Sequence, residues 1–200
     1  MLRKFKKSQI LILILLVEAF ILLLACIVCF AAGLNLSEII TKFDSFGEHV
    51  LLGIGIGFSL SALSITSSRL ALNYEWFKTY SELIEKLMRP LFSKFSLPEI
   101  ILVSIASGFC EEVFFRGVLQ SVLGIYMASA IFGFCHFAGW KYFFYVIWAG
   151  LAGLLFGYVL IATGSLWPAI IAHVVNNFVS IIYLRYGYSR EEEEDSFENH

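Results

Sequence analysis

Cys110-Glu111-Glu112-Val113-Phe114-Phe115-Arg116-Gly117 sets two acids and a base inside an otherwise apolar stretch. On insertion scales each such charge costs about 2.5–3.5 kcal/mol at the centre of a membrane helix. A helix whose only task is to span has no reason to carry three. At helical spacing Glu112 and Arg116 share a face and can pair, whereas Glu111 points about 100° away. Glu112 and Arg116 are therefore read as structural support and Glu111 as the chemical group. The plainer alternative is that all three form one buried anchor network between helices.

Two later apolar stretches each supply a histidine. His136 closes Phe132-Gly133-Phe134-Cys135-His136, and His173 opens His173-Val174-Val175-Asn176-Asn177, with Asn177 on the same helical face. Counted from the turns at Gly124 and Gly164, Glu111, His136 and His173 lie about 20, 18 and 14 Å deep at helical rise. Three polar groups at similar depth predict a polar cavity inside the bilayer. A carboxylate with a histidine can hold and deprotonate a water. A second histidine with an amide can donate to a developing oxyanion. These are the parts of an amide hydrolase with water as its nucleophile. Two histidines and a glutamate also suit catalytic zinc. No cofactor is preferred, and spacing leaves zinc open because the histidines come from separate helices and the compact H-E-x-x-H motif is absent. Cys110 and Cys135 point away from their catalytic neighbours. Cys26-x-x-Cys29 lies in an apolar helix with no strand before it, so the four cysteines are read as small apolar filler.

The elements that must position these groups follow from composition. Of 200 residues, 59% are apolar and 15% charged, against about 25% charged in an average soluble domain. That excludes a disordered chain, a disulfide-rich secreted module and a nucleic-acid binder, and it disfavours a soluble enzyme. The expected fold is all-α, a polytopic bundle of about six transmembrane helices. The stretches run about 10–32, 50–72, 97–121, 126–138, 143–162 and 166–186. Between the second and third, 73–95 has Phe77, Tyr80, Ile84, Leu87 and Leu91 at helical spacing, with charges opposite. It reads as an amphipathic interfacial helix that Pro90 breaks or kinks. Lys and Arg gather at the N-terminus, in 69–94, at Lys141 and at Arg185 and Arg190, all on one side under this count. Only Lys42 lies opposite. The positive-inside rule makes that shared side, with both termini, cytoplasmic. Three units are expected: a two-span extension with its amphipathic segment (1–96), a four-helix core (97–186) and an acidic tail (187–200).

Glu111-Glu112-x-x-x-Arg116-Gly117, Phe132-x-x-x-His136 and His173-x-x-x-Asn177, with Gly164-Ser165-Leu166-Trp167-Pro168 as lead-in, resemble the motifs of the CPBP family, also called the Abi or type II CAAX prenyl protease family. The likeness covers roughly Leu97 to Tyr186. It implies an intramembrane endopeptidase in which Glu111 and His136 activate water, His173 and Asn177 stabilise the oxyanion, and Arg116 holds Glu112. Such proteins were formerly described as metalloproteases, and the glutamate-activated mechanism is preferred here. The implied partners are the bilayer and a membrane-embedded or lipidated peptide or protein, not nucleic acid. The implied location is a bacterial plasma membrane. Two other readings compete: a non-catalytic bacteriocin-immunity or scaffold protein that retains the pocket, and an ion or proton carrier that uses the same buried charges.

Overall fold

The computed structural model describes residues 6–42, 45–70 and 75–187. The tail expected over 187–200 thus lies outside the described residues but for Gly187. Among the described residues the fold is all-α, with no strand. The helices are α1 (Lys7–Ala32), a short α2 (Leu36–Ile40), α3 (Phe46–Leu70), α4 (Glu75–Leu83), α5 (Arg89–Phe92), α6 (Leu97–Glu112), α7 (Gln120–Leu123), α8 (Ile125–Cys135), α9 (Phe143–Thr163) and α10 (Trp167–Ile182). Wider π-helical turns join α4 to α5 (Ile84–Met88) and α6 to α7 (Val113–Leu119), and another extends α10 (Tyr183–Gly187).

Four of these rods are long and apolar enough to cross a membrane: Lys7–Ala32, Phe46–Arg69, Trp140–Thr163 and Trp167–Gly187. A fifth, the unbroken helical run from Leu97 through Leu123, has the length but carries Glu99, Glu111, Glu112 and Arg116. The remaining expected span, 126–138, is shorter than expected. α8 has 11 residues, about 16 Å at helical rise, roughly half of a bilayer core. It stops because His136 leaves helical geometry and Gly139 adopts φ 120, a region that disfavours any side chain. One tight turn, Trp140–Tyr142, then leads into α9.

Both ends of the bundle are tied by polar contacts. At one end Lys7 Nζ donates to Glu99 Oε2 (2.9 Å), Arg69 Nε donates to the Tyr183 hydroxyl (3.2 Å), and Lys141 pairs with Glu82. The starts of α1, α6 and α9 therefore share a level with α4 and with the ends of α3 and α10. At the other end the Trp167 indole N–H donates to the Ile40 carbonyl (2.9 Å) and the Ser165 hydroxyl to the Lys42 carbonyl (3.0 Å). The basic residues described cluster at the first end, as the charge pattern predicts.

The Pro90 break does not occur. The chain stays helical through it, and the turn just before it widens. Pro90 lacks an N–H and its ring crowds the carbonyl four residues back. A π turn shifts the register by one residue and absorbs both. The apolar stripe of this segment also turns inward. Leu83 and Ile84 are buried, and Tyr80, Ile84 and Met88 pack against Tyr183 and Leu184.

α10 is the central helix. α3 packs along it more extensively than any other pair in the bundle. The close approach depends on glycine. A Cβ on Gly57 would lie 2.7 Å from the Ala172 carbonyl oxygen, and one on Gly108 of α6 would lie 2.8 Å from the Val174 backbone nitrogen. Small residues at such contacts replace the hydrophobic drive that lipid removes.

Candidate active site within the bundle

α6 and α10 cross where the expected residues gather. On α6, Val103, Ser107 and Glu111 recur every four residues and line one cavity. Glu112, one step round the helix, is fully buried. The π turn begins at Val113, directly after the two acids, and runs to Leu119 through Arg116 and Gly117.

Arg116 is buried with Glu112. Its Nη1 donates to Glu112 Oε1 (3.0 Å), its Nε donates to the Gly153 carbonyl (3.4 Å), and its guanidinium lies 4.0 Å from the Phe132 ring centroid. The ion pair expected from spacing is present. Glu112 has a second partner that spacing did not reveal: His173 Nδ1 lies 2.8 Å from the same oxygen. Arg116, Glu112 and His173 thus form a chain from α9 across α6 to α10.

Glu111 and His136 form a separate pair. His136 Nε2 lies 3.9 Å from Glu111 Oε2, beyond a direct hydrogen bond and within reach of a shared water. His136 Nδ1 lies 2.8 Å from the Phe132 carbonyl. A carbonyl only accepts, so Nδ1 carries the hydrogen and Nε2 presents a lone pair toward Glu111. Glu111 Oε2 is buried with no hydrogen-bond partner. Asn177 Nδ2 donates to Ser107 Oγ (2.8 Å), which donates in turn to the Val103 carbonyl.

Glu111, His136, His173 and Asn177 all line one cavity of about 560 Å³. Its wall continues past Tyr80, Leu83, Ile84 and Met88 to Tyr183, so it reaches the end of the bundle that carries α4. Residues from α1 (Ile14, Glu18) and α3 (Ser64, Ile65, Ser68) complete it. Ser107, Glu18 and Tyr145 line the cavity and were missed in the sequence. Ser107 carried a signal, being four residues before Glu111. Glu18 did too, as the lone acid in its apolar stretch. Tyr145, whose ring lies 5.9 Å from that of His136, is visible only once the helices pack.

Zinc can be tested on the donors. Among the described residues no three His, Cys, Asp or Glu side chains group as a metal site. Glu111 and His136 converge, but His173 Nδ1 is engaged by Glu112, whose same oxygen also holds Arg116. This donor set does not fit zinc, and no step below runs through a metal.

An all-α integral membrane protein with a half-buried Glu–His pair beside a second, braced histidine defines the class: a polytopic protein with a polar site at bilayer depth. Residues 93–179 match the model of the family described as type II CAAX prenyl endopeptidase Rce1-like. Over 142 residues the chain is 29% identical to the uncharacterized protein YpbD of Bacillus subtilis (strain 168), across 71% of this chain and 74% of that protein. No solved structure matches it.

Proposed function

We propose that the chain is an intramembrane endopeptidase that hydrolyses a peptide bond of a membrane-associated or lipidated peptide or protein with glutamate-activated water. The observation that carries this is the 3.9 Å gap between Glu111 Oε2 and His136 Nε2 on the cavity wall. A water in that gap donates one hydrogen to Nε2 and the other to the carboxylate. Glu111 takes the second proton as the hydroxide oxygen bonds to the scissile carbonyl carbon. The carbonyl oxygen gains the negative charge. His173 Nε2–H and the remaining Asn177 Nδ2–H stabilise it. In that role His173 carries hydrogens on both nitrogens, with Nδ1–H on Glu112. Glu111 then returns its proton to the leaving nitrogen, the C–N bond breaks, and an acid and an amine are released. Arg116 and Glu112 position His173 and touch no substrate. The end that bears α4 and Lys141 faces the cytoplasm, and the membrane is a bacterial plasma membrane.

The test compares membrane peptide profiles of cells expressing the wild type and Glu111→Gln by mass spectrometry. Fragments present only with the wild type support the reading. Identical profiles with both proteins folded favour a non-catalytic immunity or scaffold role.

A further inference from the structure

Helix α1 lies outside the family-matched segment, yet it places one acid in the site. Lys7 at the start of α1 is tied to Glu99 at the start of α6, so the two helices begin level and run in the same direction. Glu18 is 11 residues on from Lys7 and Glu111 is 12 on from Glu99, so both sit about 16–18 Å deep at helical rise. Glu18 is 6% exposed, lines the cavity, and its Oε2 has no hydrogen-bond partner. Glu111 and His173 line the same cavity. Nothing in the mechanism above uses it.

The cavity wall carries two acids, Glu18 and Glu111, and no lysine or arginine among its described residues. The buried Arg116 guanidinium and the Nδ1 side of His173 are both committed to Glu112. A buried carboxyl group without a partner is costly. A substrate cation that reaches it gains a desolvated charge pair, and truncating one partner of such a pair weakens binding mainly by speeding dissociation.

We propose that Glu18 is a specificity determinant that selects a substrate with a basic side chain, lysine or arginine, at bilayer depth beside the bond held at Glu111. This rests on the endopeptidase reading for the identity of the ligand. Its geometry stands without it. The arrangement divides labour between the two acids: Glu111 faces His136 and the reacting water, and Glu18 faces the side chain of a neighbouring substrate residue.

The test uses full-length protein in phosphatidylcholine nanodiscs, whose neutral lipid gives basic peptides no charged surface. The probes are dye-labelled apolar helical peptides with a single central lysine, norleucine or glutamate, and binding is read by energy transfer to labelled protein. The wild type is expected to bind the lysine peptide at least about tenfold more tightly than the norleucine peptide, equivalent to ~1.4 kcal/mol. Glu18→Gln is expected to abolish that preference, Glu18→Asp to retain part of it, and Glu111→Gln to retain most of it. No lysine preference in the wild type overturns the proposal, as does a preference that survives Glu18→Gln. Unchanged norleucine binding by Glu18→Gln serves as the check that it is folded. Cleavage followed in the same samples reports on the endopeptidase reading alone. A Glu18-dependent preference without Glu111-dependent cleavage sinks that reading and leaves the binding site standing. The reverse result sinks only the proposal about Glu18.

Discussion

Glu112 and His173, 61 residues apart in sequence, share a 2.8 Å hydrogen bond, and the same Glu112 oxygen holds Arg116 at 3.0 Å. One buried carboxylate therefore fixes the orientation of a histidine on another helix and is itself fixed by a guanidinium one turn on. The ring of His173 is held further by Phe156, stacked at 5.4 Å, and by Phe132, edge-on at 6.0 Å. These contacts leave Nε2 as the ring nitrogen not held by Glu112.

Replacing Arg116 by Met leaves Glu112 buried without its cation. Removing one partner of a buried pair costs about 3–5 kcal/mol. Thermal unfolding in detergent is expected to show that loss, and the double variant Arg116→Met/Glu112→Gln to recover part of it. Equal melting of Arg116→Met and wild type would remove the brace from the structural account.

Glu111→Gln and His136→Ala are each expected to lower peptide cleavage by about 10²–10⁴-fold, the range for loss of a positioned acid–base group. Neither group is braced as Glu112 is, so unfolding temperatures should move little. Activity within threefold of wild type in either variant contradicts the assigned roles.

Gly153 admits no side chain. A Cβ there would sit 2.6 Å from Arg116 Nη2 and 3.0 Å from Phe132 Cδ1. Gly153→Ala is expected to destabilise the protein by about 1–3 kcal/mol, as overpacking does. It should also lower cleavage by displacing Arg116, and through it Glu112 and His173. The control is Gly55→Ala, where a Cβ meets nothing within 4 Å; it should melt with the wild type.

The clasp of Glu82 with Lys141 and Lys86 joins α4 to the turn that follows His136. Hydrogen bonds from Lys141 and then Lys86 hold the Glu82 carboxyl below its usual range. A depressed carboxylate contributes above its unfolded pKa, about 4.3, and the contribution is lost as pH falls through the folded value. The clasp should therefore persist across neutral pH and open under strong acid. Spin-label distances between α4 and the Trp140–Tyr142 turn should stay constant from pH 6 to 8 and lengthen in acid. Glu82→Gln should lengthen them at every pH. The pair is exposed, so high salt should weaken it too.

Membrane orientation has a direct test. In a cysteine-free background, Lys42→Cys is expected to react with an impermeant maleimide added outside intact cells, and Lys141→Cys only after lysis. The opposite pattern reverses the assigned topology.

The local sequence determined the chemistry on offer and the type of every long element. Apolar runs broken by short turns are helices in a bilayer because only a helix satisfies its own backbone there. Glu112 and Arg116, four apart, had to meet for the same local reason. Helical rise alone brought Glu111 and His136 to one depth. Other features needed the packed bundle. Rotation of each helix about its axis is set by contacts with its neighbours, such as Gly57 and Gly108 against α10, and no spacing within one segment encodes it. That rotation decided that His173 faces Glu112, that Asn177 meets Ser107, and that Glu18 of the first helix enters the same cavity as Glu111. The length of α8 was also decided in three dimensions. The apolar run continues past His136, but the helix ends there, where the chain turns toward α9 and α4. A linear sequence states which polar groups are too costly to be idle; only the packing of helices states which of them share a site.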